Sequence, residues 1–262
     1  MEAQIRTAAR KYLAPGIRRP LGTVLGKFNE MVIKNLQGLL FDLKGDRFHT
    51  DGCSFLIPRD VTTLLYRATF LTDDYEHDER SLIKEFIKPE DRVVELGGCL
   101  GIVSCVTNRL LAEKTKHVVV EANPFCLAAL HRNKALNKAG FLIEHCAVDT
   151  KPEVTFYLHP VYIVGGTVQR ANDNPVRLPA KSLRQIDQER GPFTVLIIDI
   201  EGSELDVFGD SIDLLNRYRA VIVEFHEFAI GTEGVERCRQ ILRDSGLKFG
   251  RRAGTSEAWV RN

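Results

Sequence analysis

Residues 92–101 read Arg92-Val93-Val94-Glu95-Leu96-Gly97-Gly98-Cys99-Leu100-Gly101. A short β-branched run here meets a glycine-rich turn, and after it the apolar residues Ile102, Val106 and Leu110 recur every four positions. This order is typical of a strand, a tight turn and an amphipathic helix. Glycines at such a turn let the backbone pass close to a ligand and expose amide groups at the helix N-terminus.

The same alternation of apolar runs and amphipathic segments continues downstream. Asn123 and Pro124 predict the start of the next helix, with Asn123 as its N-cap. Because parallel sheets are covered by helices, the pattern predicts a Rossmann-like α/β fold with a mostly parallel, twisted sheet and helices on both faces. The predicted strands are Arg92–Leu96, Val118–Glu121, Leu142–Cys146, Val195–Asp199 and Ala220–Phe225.

The segment from Thr150 to Pro179 interrupts this rhythm. Val154–Leu158 and Val161–Val164 are predicted as short strands, followed by two glycines and a polar loop. An irregular insertion between regular units usually lies at the rim of a sheet, where loops carry specificity.

The composition and charge of the chain limit the classes of function that it can have. The chain has 262 residues, 44% of them hydrophobic, and 36 basic residues balance 35 acidic ones to a net charge of +1. This balance provides no global field for nucleic acid or an anionic membrane. The six cysteines form no CxxC pair, which favours a reducing compartment. With no signal-peptide pattern and no apolar run of about 18 residues, we predict a cytoplasmic protein without a transmembrane segment.

Two regions of the chain differ in composition and in predicted structure. Residues 1–50 begin with several basic residues and the breakers Pro15, Gly16 and Pro20, and they are predicted to form an N-terminal, helical extension. This extension either packs on the main domain or contacts a membrane surface or a partner subunit. Residues 51–262 are predicted to form the main domain.

The glycine turn is not that of a dinucleotide dehydrogenase. A G-x-G-x-x-G fingerprint ending at Gly101 would place its first glycine where Leu96 stands. Glu95, two places before Gly97, also suits a ligand that carries an ammonium and a sulfonium better than one that carries a pyrophosphate.

An acidic residue ends the second predicted strand. Glu121 follows the glycine turn by about 20 residues, the spacing at which a carboxylate accepts the ribose hydroxyls of an adenosine. Ala122 and Asn123 continue this segment. Beyond the third strand, Asp149 either binds an adenine amine or caps a turn.

These features together resemble the FkbM family of S-adenosylmethionine-dependent methyltransferases, over roughly residues 55–246. The sequence departs from the usual family pattern at three positions. These are Glu95, Cys99, where the family has an asparagine, and Arg184. The stretches that carry the resemblance are Tyr75-Glu76 with Glu79, Glu95–Gly101, Glu121–Pro124, Ala147–Asp149, Ile198–Glu204 and Val223–Glu227.

The resemblance implies a class I methyltransferase fold, S-adenosyl-L-methionine as cofactor, and methyl transfer to a hydroxyl of a sugar, glycolipid or natural product. It also implies that Tyr75 and Glu76 close over the amino-acid end of the donor. The residues predicted to bind the cofactor are Tyr75, Glu76, Glu95, Gly97, Gly98, Gly101, Glu121, Ala122, Asn123 and Asp149.

Catalytic candidates follow the last two parallel strands. Asp199 is predicted to face the transferred methyl, and Glu224 and His226 lie at the next strand end. His226 is either a general base or a polar residue bonded to neighbouring carboxylates. Asp199, Glu201 and Glu224 could gather a divalent cation such as magnesium, but the sequence does not show that their oxygens converge, and no metal ligand is predicted.

Two other functions compete with this prediction. One is methylation of nitrogen in RNA or protein, although the chain lacks an N/D-P-P-Y/F motif after the fourth strand and a basic, aromatic stripe. The other is a non-catalytic protein that keeps the fold. We expect a small-molecule or glycan acceptor and no nucleic acid, and the sequence identifies neither the acceptor nor the oligomeric state.

Overall fold

The computed structural model describes residues 15–159, 163, 165–167, 169 and 173–261, with side chains described from residue 29 onward. The first half of the chain forms α1 (Pro15–Leu43), β1 (Arg47–Thr50), β2 (Cys53–Leu56), α2 (Leu64–Thr72), α3 (His77–Phe86), β3 (Val93–Leu96), α4 (Ile102–Leu110), β4 (His117–Val120), α5 (Leu127–Leu136) and β5 (Leu142–Glu144). The second half forms β6 (Ala147–Val148), β7 (Glu153–Leu158), β8 (Gly165–Gly166), β9 (Asn174–Lys181), α6 (Leu183–Arg190), β10 (Val195–Ile198), α7 (Glu204–Asp210), α8 (Ile212–Leu215), β11 (Ala220–Glu224), α9 (Glu227–Asp244), β12 (Lys248–Ala253) and β13 (Ser256–Val260).

A seven-stranded sheet organises the main domain, in the order β12-β13-β11-β10-β3-β4-β5. The strands from β11 to β5 are parallel, and Val195 of β10 pairs with Val93 on one side and Ala220 on the other. β13 is antiparallel to both β11 and β12. The predicted Rossmann-like α/β fold, with a mostly parallel sheet, is confirmed.

Alternate residues of the central strands are buried in two separate hydrophobic cores, one on each face of the sheet. On one face, Val93 and Ile197 pack with Leu82, Ile83 and the apolar stripe of α4. On the other, Val94 and Leu196 pack with side chains of α6, α7 and α9. Since successive strand residues point to opposite faces, the continuous apolar runs of β3, β4 and β10 require helices on both sides.

The predicted strands are present, but most end one or two residues earlier than expected. Glu121, Asp199 and Phe225 therefore lie just beyond the strands, in the loops at their carboxyl ends. The prediction that Asn123 is a helix N-cap is wrong, because α5 begins at Leu127. The Asn123 side chain instead accepts a hydrogen bond from the Phe125 N–H at 3.0 Å and closes a turn before the helix.

The interrupting segment forms a second, four-stranded sheet in the order β6-β9-β7-β8. The predicted strand Val154–Leu158 is present, whereas most of Val161–Val164 lies outside the described residues. The polar loop predicted up to Pro179 is wrong at its end, where β9 runs from Asn174 to Lys181. Two prolines in this strand hide the alternation of buried and exposed residues by which a strand is recognised in a sequence. The antiparallel hairpin of β12 and β13 was likewise not predicted.

The N-terminal extension is helical from Pro15 to Leu43, as predicted, and ends in strand β1. α1 packs on α2 where Gly38 meets the Leu64 backbone and Asp42 pairs with Arg67 at 2.6 Å. Hairpin β1–β2 spans the predicted boundary at residue 50, which stays a prediction. Among the residues with described side chains, no helix combines the length and apolarity needed to cross a membrane. The face of α1 turned away from α2 exposes Met31, Val32, Ile33, Leu36, Leu39, Leu40 and Leu43.

Candidate active site

The main cleft, about 390 Å³ in volume, opens at the carboxyl ends of β3, β4, β10 and β11. The chain leaves β3 towards β4 on one side and β10 lies on the other, so this is the point where the strand order reverses. Ligands of open α/β sheets bind at such a switch point. Phe156, Gly165 and Thr167 of the second sheet segment form another wall.

The glycine turn after β3 brings the backbone into close contact with the next loop. Gly97 has a φ of +99°, and a Cβ atom there would lie 1.8 Å from the Asp199 carbonyl oxygen. At Gly98, a Cβ would lie 2.4 Å from Cγ1 of Val119. Gly101, with a φ of +82°, is the N-cap of α4. These contacts explain why the turn contains glycines at these positions.

Glu121 ties this turn to the end of β4. Its carboxylate accepts hydrogen bonds from the Cys99 N–H and the Asn123 N–H, both at 2.5 Å. The Gly97 N–H donates to the Val120 carbonyl at 2.9 Å. Burial raises the pKa of Glu121 to about 7, although the backbone hydrogen bonds oppose the shift. Ala122 and Asn123 line the same part of the cleft.

Tyr75 and Glu76 close one side of the cleft, at the start of α3. The Tyr75 ring stacks on Phe70 with centroids 4.3 Å apart, and its hydroxyl lies 3.5 Å from the Cys99 sulfur. Oxygen Oε2 of Glu76 is buried and has no hydrogen-bond partner among the described residues. Burial raises the pKa of Glu76 to about 8. Arg80 fixes this segment by donating to the Tyr75 carbonyl at 3.2 Å.

Three further carboxylates converge in the cleft. Asp199 follows β10, Glu224 ends β11, and Glu79 reaches in from the first turn of α3. One oxygen of each lies within 4.8 Å of the others. Burial raises the pKa of Asp199 and of Glu79 well above their usual values, and the neighbouring carboxylates add to the shift.

His226 is held by three carboxylates. Its Nδ1 lies 2.6 Å from Oε1 of Glu204, while its Nε2 lies 3.4 Å from Asp199 and 3.7 Å from Glu201. Burial lowers the pKa of His226, but the hydrogen bond to Glu204 and the nearby negative charges outweigh it and raise the value to about 9. In the ligand-free protein the imidazolium form therefore prevails at neutral pH, bonded to carboxylates.

Four residues predicted to bind the cofactor lie outside the cleft lining: Glu95, Gly98, Gly101 and Asp149. Glu95 is buried beneath the glycine turn, where it accepts from the Ser104 hydroxyl and lies 3.1 Å from Nε2 of His117. Asp149 accepts from the Lys151 N–H at 2.8 Å and lines a neighbouring cavity, so it caps a turn. Their predicted contacts with a cofactor stay predictions.

Sequence reasoning did not assign a site role to Glu79, Thr255 or Ser256. A signal for Glu79 was present, because it is in helical register with Leu82, Ile83 and Phe86 and so lies on the apolar face of α3. Thr255 and Ser256 come from the unpredicted C-terminal hairpin, and Thr255 donates to Glu224 at 2.7 Å.

A glycine turn joined to an acidic residue at the next strand end, on this sheet order, is the arrangement expected of a methyltransferase that depends on S-adenosylmethionine. Residues 95–249 match the protein family described as the methyltransferase FkbM domain, which is more than half of the chain. The protein belongs to the FkbM methyltransferase family, and the family prediction is confirmed.

Several solved structures have a similar fold. Fibrillarin from Aeropyrum pernix, in complex with natively bound S-adenosyl-L-methionine, is 12% identical over 69% of this chain and 73% of its own, with a TM-score of 0.45. An O-methyltransferase from Bacillus cereus, in complex with SAH, is 14% identical over 70% of this chain and 80% of its own, with a TM-score of 0.46. The O-methyltransferase TomG from Streptomyces achromogenes is 15% identical over 70% and 79%, with a TM-score of 0.45. A search of curated protein sequences finds no significant match.

Proposed function

We propose that this protein transfers the methyl group of S-adenosylmethionine to a hydroxyl of an uncharged acceptor, such as a sugar, a glycolipid or a natural product. The observation that carries the proposal is the pairing of two features in one cleft. The turn around Gly97 is bonded to Glu121 on one side, and Asp199 and Glu224 face the cleft on the other.

The donor fits the first of these features. Gly97 lines the cleft and has no side chain, so a ligand can approach its main chain closely. The Glu121 carboxylate, already aligned by two backbone amides, has lone pairs left for the ribose hydroxyls. The unpartnered Oε2 of Glu76 suits the donor's ammonium group.

The donor supplies a methyl group on a sulfonium, which is already activated, so the protein must mainly position the acceptor and exclude water. Asp199 lies next to the glycine turn, with its backbone carbonyl against Gly97. Its carboxylate is thereby placed to orient an acceptor hydroxyl and to take its proton. His226, bonded to Glu204, holds Asp199 and Glu201 in place.

The charge of the cleft favours an uncharged acceptor. No lysine or arginine in the described part of the chain lines it, so a polyanion such as RNA would meet repulsion. This argues against nitrogen methylation of RNA. The carboxylates that line the cleft are Asp74, Glu76, Asp78, Glu79, Glu121, Asp199, Glu201 and Glu224.

The test is incubation of the protein with a donor labelled in the methyl group and with fractionated extracts. We expect label in a small-molecule, glycan or lipid fraction, in a form that resists mild base, since ethers do and methyl esters do not. Label in RNA or protein would establish the competing function. Absence of donor binding by calorimetry at millimolar concentration would favour a non-catalytic protein.

Changing Glu76 to glutamine should weaken donor binding by about tenfold, because a hydrogen bond to a charged partner contributes about 1.5–3 kcal/mol. The amide keeps the size of the side chain but lacks the charge that faces the ammonium. Calorimetric titration with S-adenosylmethionine measures the change. Glu113→Gln, at an exposed residue paired with Lys116 outside the cleft, is the matched control and should bind as the wild type does. Equal affinity in all three proteins would contradict the role of Glu76.

Donor affinity should increase with pH between about pH 6 and about pH 8, because the ionised Glu121 carboxylate is the form that accepts the ribose hydroxyls. The pKa of Glu121 in the free protein is about 7, so protonation below that value removes the acceptor. Glu76, with a pKa of about 8, adds to the rise in the same direction. Calorimetry across this range should show a smaller rise for Glu121→Gln. A variant with the pH dependence of the wild type would refute the assignment.

A further inference from the structure

Three carboxylates from separate elements converge in the cleft. One oxygen each of Glu79, Asp199 and Glu224 lies within 4.8 Å of the other two. Glu224 also accepts a hydrogen bond from the Thr255 hydroxyl, which fixes its orientation. No basic side chain of the described residues pairs with any of the three except His226, which lies 3.4 Å from Asp199.

Glu79 is the decisive member of this cluster. Only 3% of its surface is exposed, and its side chain forms no hydrogen bond or ion pair with any residue that the structure describes. Its carboxylate nevertheless faces the cleft. Burying an ionised carboxylate without a partner is costly, so such a group is either protonated or paired with a ligand of opposite charge.

A neighbouring residue shows the usual solution. Glu204 is fully buried as well, yet its Oε1 accepts a hydrogen bond from the Gly202 N–H at 3.1 Å and contacts His226 at 2.6 Å. Glu79 has no such support within the described chain. A cation in the cleft would supply the charge that balances its ionised form.

Hard carboxylate oxygens select a hard cation. In an octahedral Mg²⁺ site the ligand oxygens lie about 2.1 Å from the metal and so about 3–4 Å from each other. The spacing of the three carboxylates needs only small side-chain movements to reach this geometry. Three ligands from the protein leave the remaining positions for water and for oxygens of the acceptor.

We propose that Glu79, Asp199 and Glu224 bind one divalent cation, Mg²⁺ or Mn²⁺, and that this cation holds the acceptor hydroxyl beside the donor. The binding site stands on the geometry alone, whereas its role in catalysis rests on the proposed function. The cation acidifies the hydroxyl, and the Asp199 carboxylate oxygen that does not bind the cation takes its proton as the hydroxyl oxygen attacks. The new oxygen–carbon bond forms while the carbon–sulfur bond of the donor breaks, releasing S-adenosylhomocysteine. Glu79 thus takes the place of Glu201 in the group considered from the sequence.

Titration of the donor-free protein with Mn²⁺, followed by electron paramagnetic resonance, tests the site without any reaction. We expect one bound ion per chain and at least about tenfold weaker binding to Glu79→Gln, in line with the loss of one charged ligand. Glu113→Gln should bind Mn²⁺ as the wild type does. Absence of saturable binding at millimolar Mn²⁺, or equal binding by Glu79→Gln, would overturn the proposal.

Thermal unfolding measurements show whether the Glu79→Gln variant is folded. In chelator, Glu79→Gln should unfold at or above the midpoint of the wild type, because the amide carries no buried charge. Added Mg²⁺ should raise the midpoint of the wild type more than that of Glu79→Gln, since the folded wild type binds the ion more tightly. Equal rises in both proteins would count against the site.

Chelation during the labelled-methyl assay separates this proposal from the proposed function. Loss of transfer in chelator, recovery with Mg²⁺ and undiminished donor binding together support a cation that acts on the acceptor. Full transfer in chelator would overturn that role. If the protein does not bind the donor at all, the proposed function fails, and the Mn²⁺ titration still decides whether the metal site exists.

Discussion

Asp199→Asn is expected to lower the rate of methyl transfer by about 10²–10⁴-fold, the range in which a positioned proton-transfer group contributes. Its partly buried carboxylate lines the cleft beside the glycine turn, and asparagine keeps its shape while removing the charge. An amide can neither take a proton from a hydroxyl nor bind a divalent cation well. The loss should therefore appear in kcat.

Donor affinity should change much less than kcat in this variant, since the contacts at Glu121 and Glu76 stay intact. Single-turnover rates and calorimetric donor titration together measure the two effects. Asp213→Asn is the matched control, because Asp213 is exposed and pairs with Arg184 at 2.6 Å outside the cleft. An Asp199→Asn enzyme with more than a tenth of the wild-type rate would exclude Asp199 from the chemistry.

The part of this site that the sequence predicted is local. The strand, the glycine turn and α4 are consecutive in the chain, so residues 92–110 carry the entire pattern. Glu121 follows from the same logic one strand later, because neighbouring parallel strands bring their carboxyl ends to one edge. The hydrogen bond from the Cys99 N–H to the Glu121 carboxylate joins the ends of these two strands, as that expectation requires.

The part that the sequence did not predict depends on tertiary packing. Thr255 reaches Glu224 only because β13 inserts between β11 and β12, an order that no local pattern encodes. Glu95 turns inward because it occupies a mid-strand position between two buried neighbours, where Ser104 and His117 satisfy it. Spacing from the glycine turn alone could not distinguish this orientation from one towards a ligand.

The asparagine usual in the family turn is replaced by Cys99, and the structure shows how the turn tolerates this. Cys99 adopts a φ of +42°, and its backbone N–H, rather than its side chain, contacts Glu121. Its sulfur lies 3.5 Å from the Tyr75 hydroxyl and lines the cleft. The change therefore leaves the backbone contacts of the turn intact, which favours an active enzyme over a non-catalytic relative.

Gly97→Ala is expected to destabilise the protein by about 2–5 kcal/mol, the sum of a left-handed backbone penalty and of overpacking. A methyl group at this position would lie 1.8 Å from the Asp199 carbonyl oxygen, so the loops after β3 and β10 must separate. That movement displaces the glycine turn from Glu121 and Asp199 from the cleft. Donor binding should become undetectable by calorimetry, even under conditions where the variant is folded.

Gly209→Ala separates this effect from that of glycine replacement in general. Gly209 lies in α7, and a Cβ atom there would have no neighbour within 4 Å. Because alanine is the better helix former, this variant should gain up to about 1 kcal/mol and bind the donor normally. Urea unfolding of both variants measures the contrast. If Gly97→Ala matched the wild type in stability and donor affinity, the close approach between the two loops could not be what shapes the donor site.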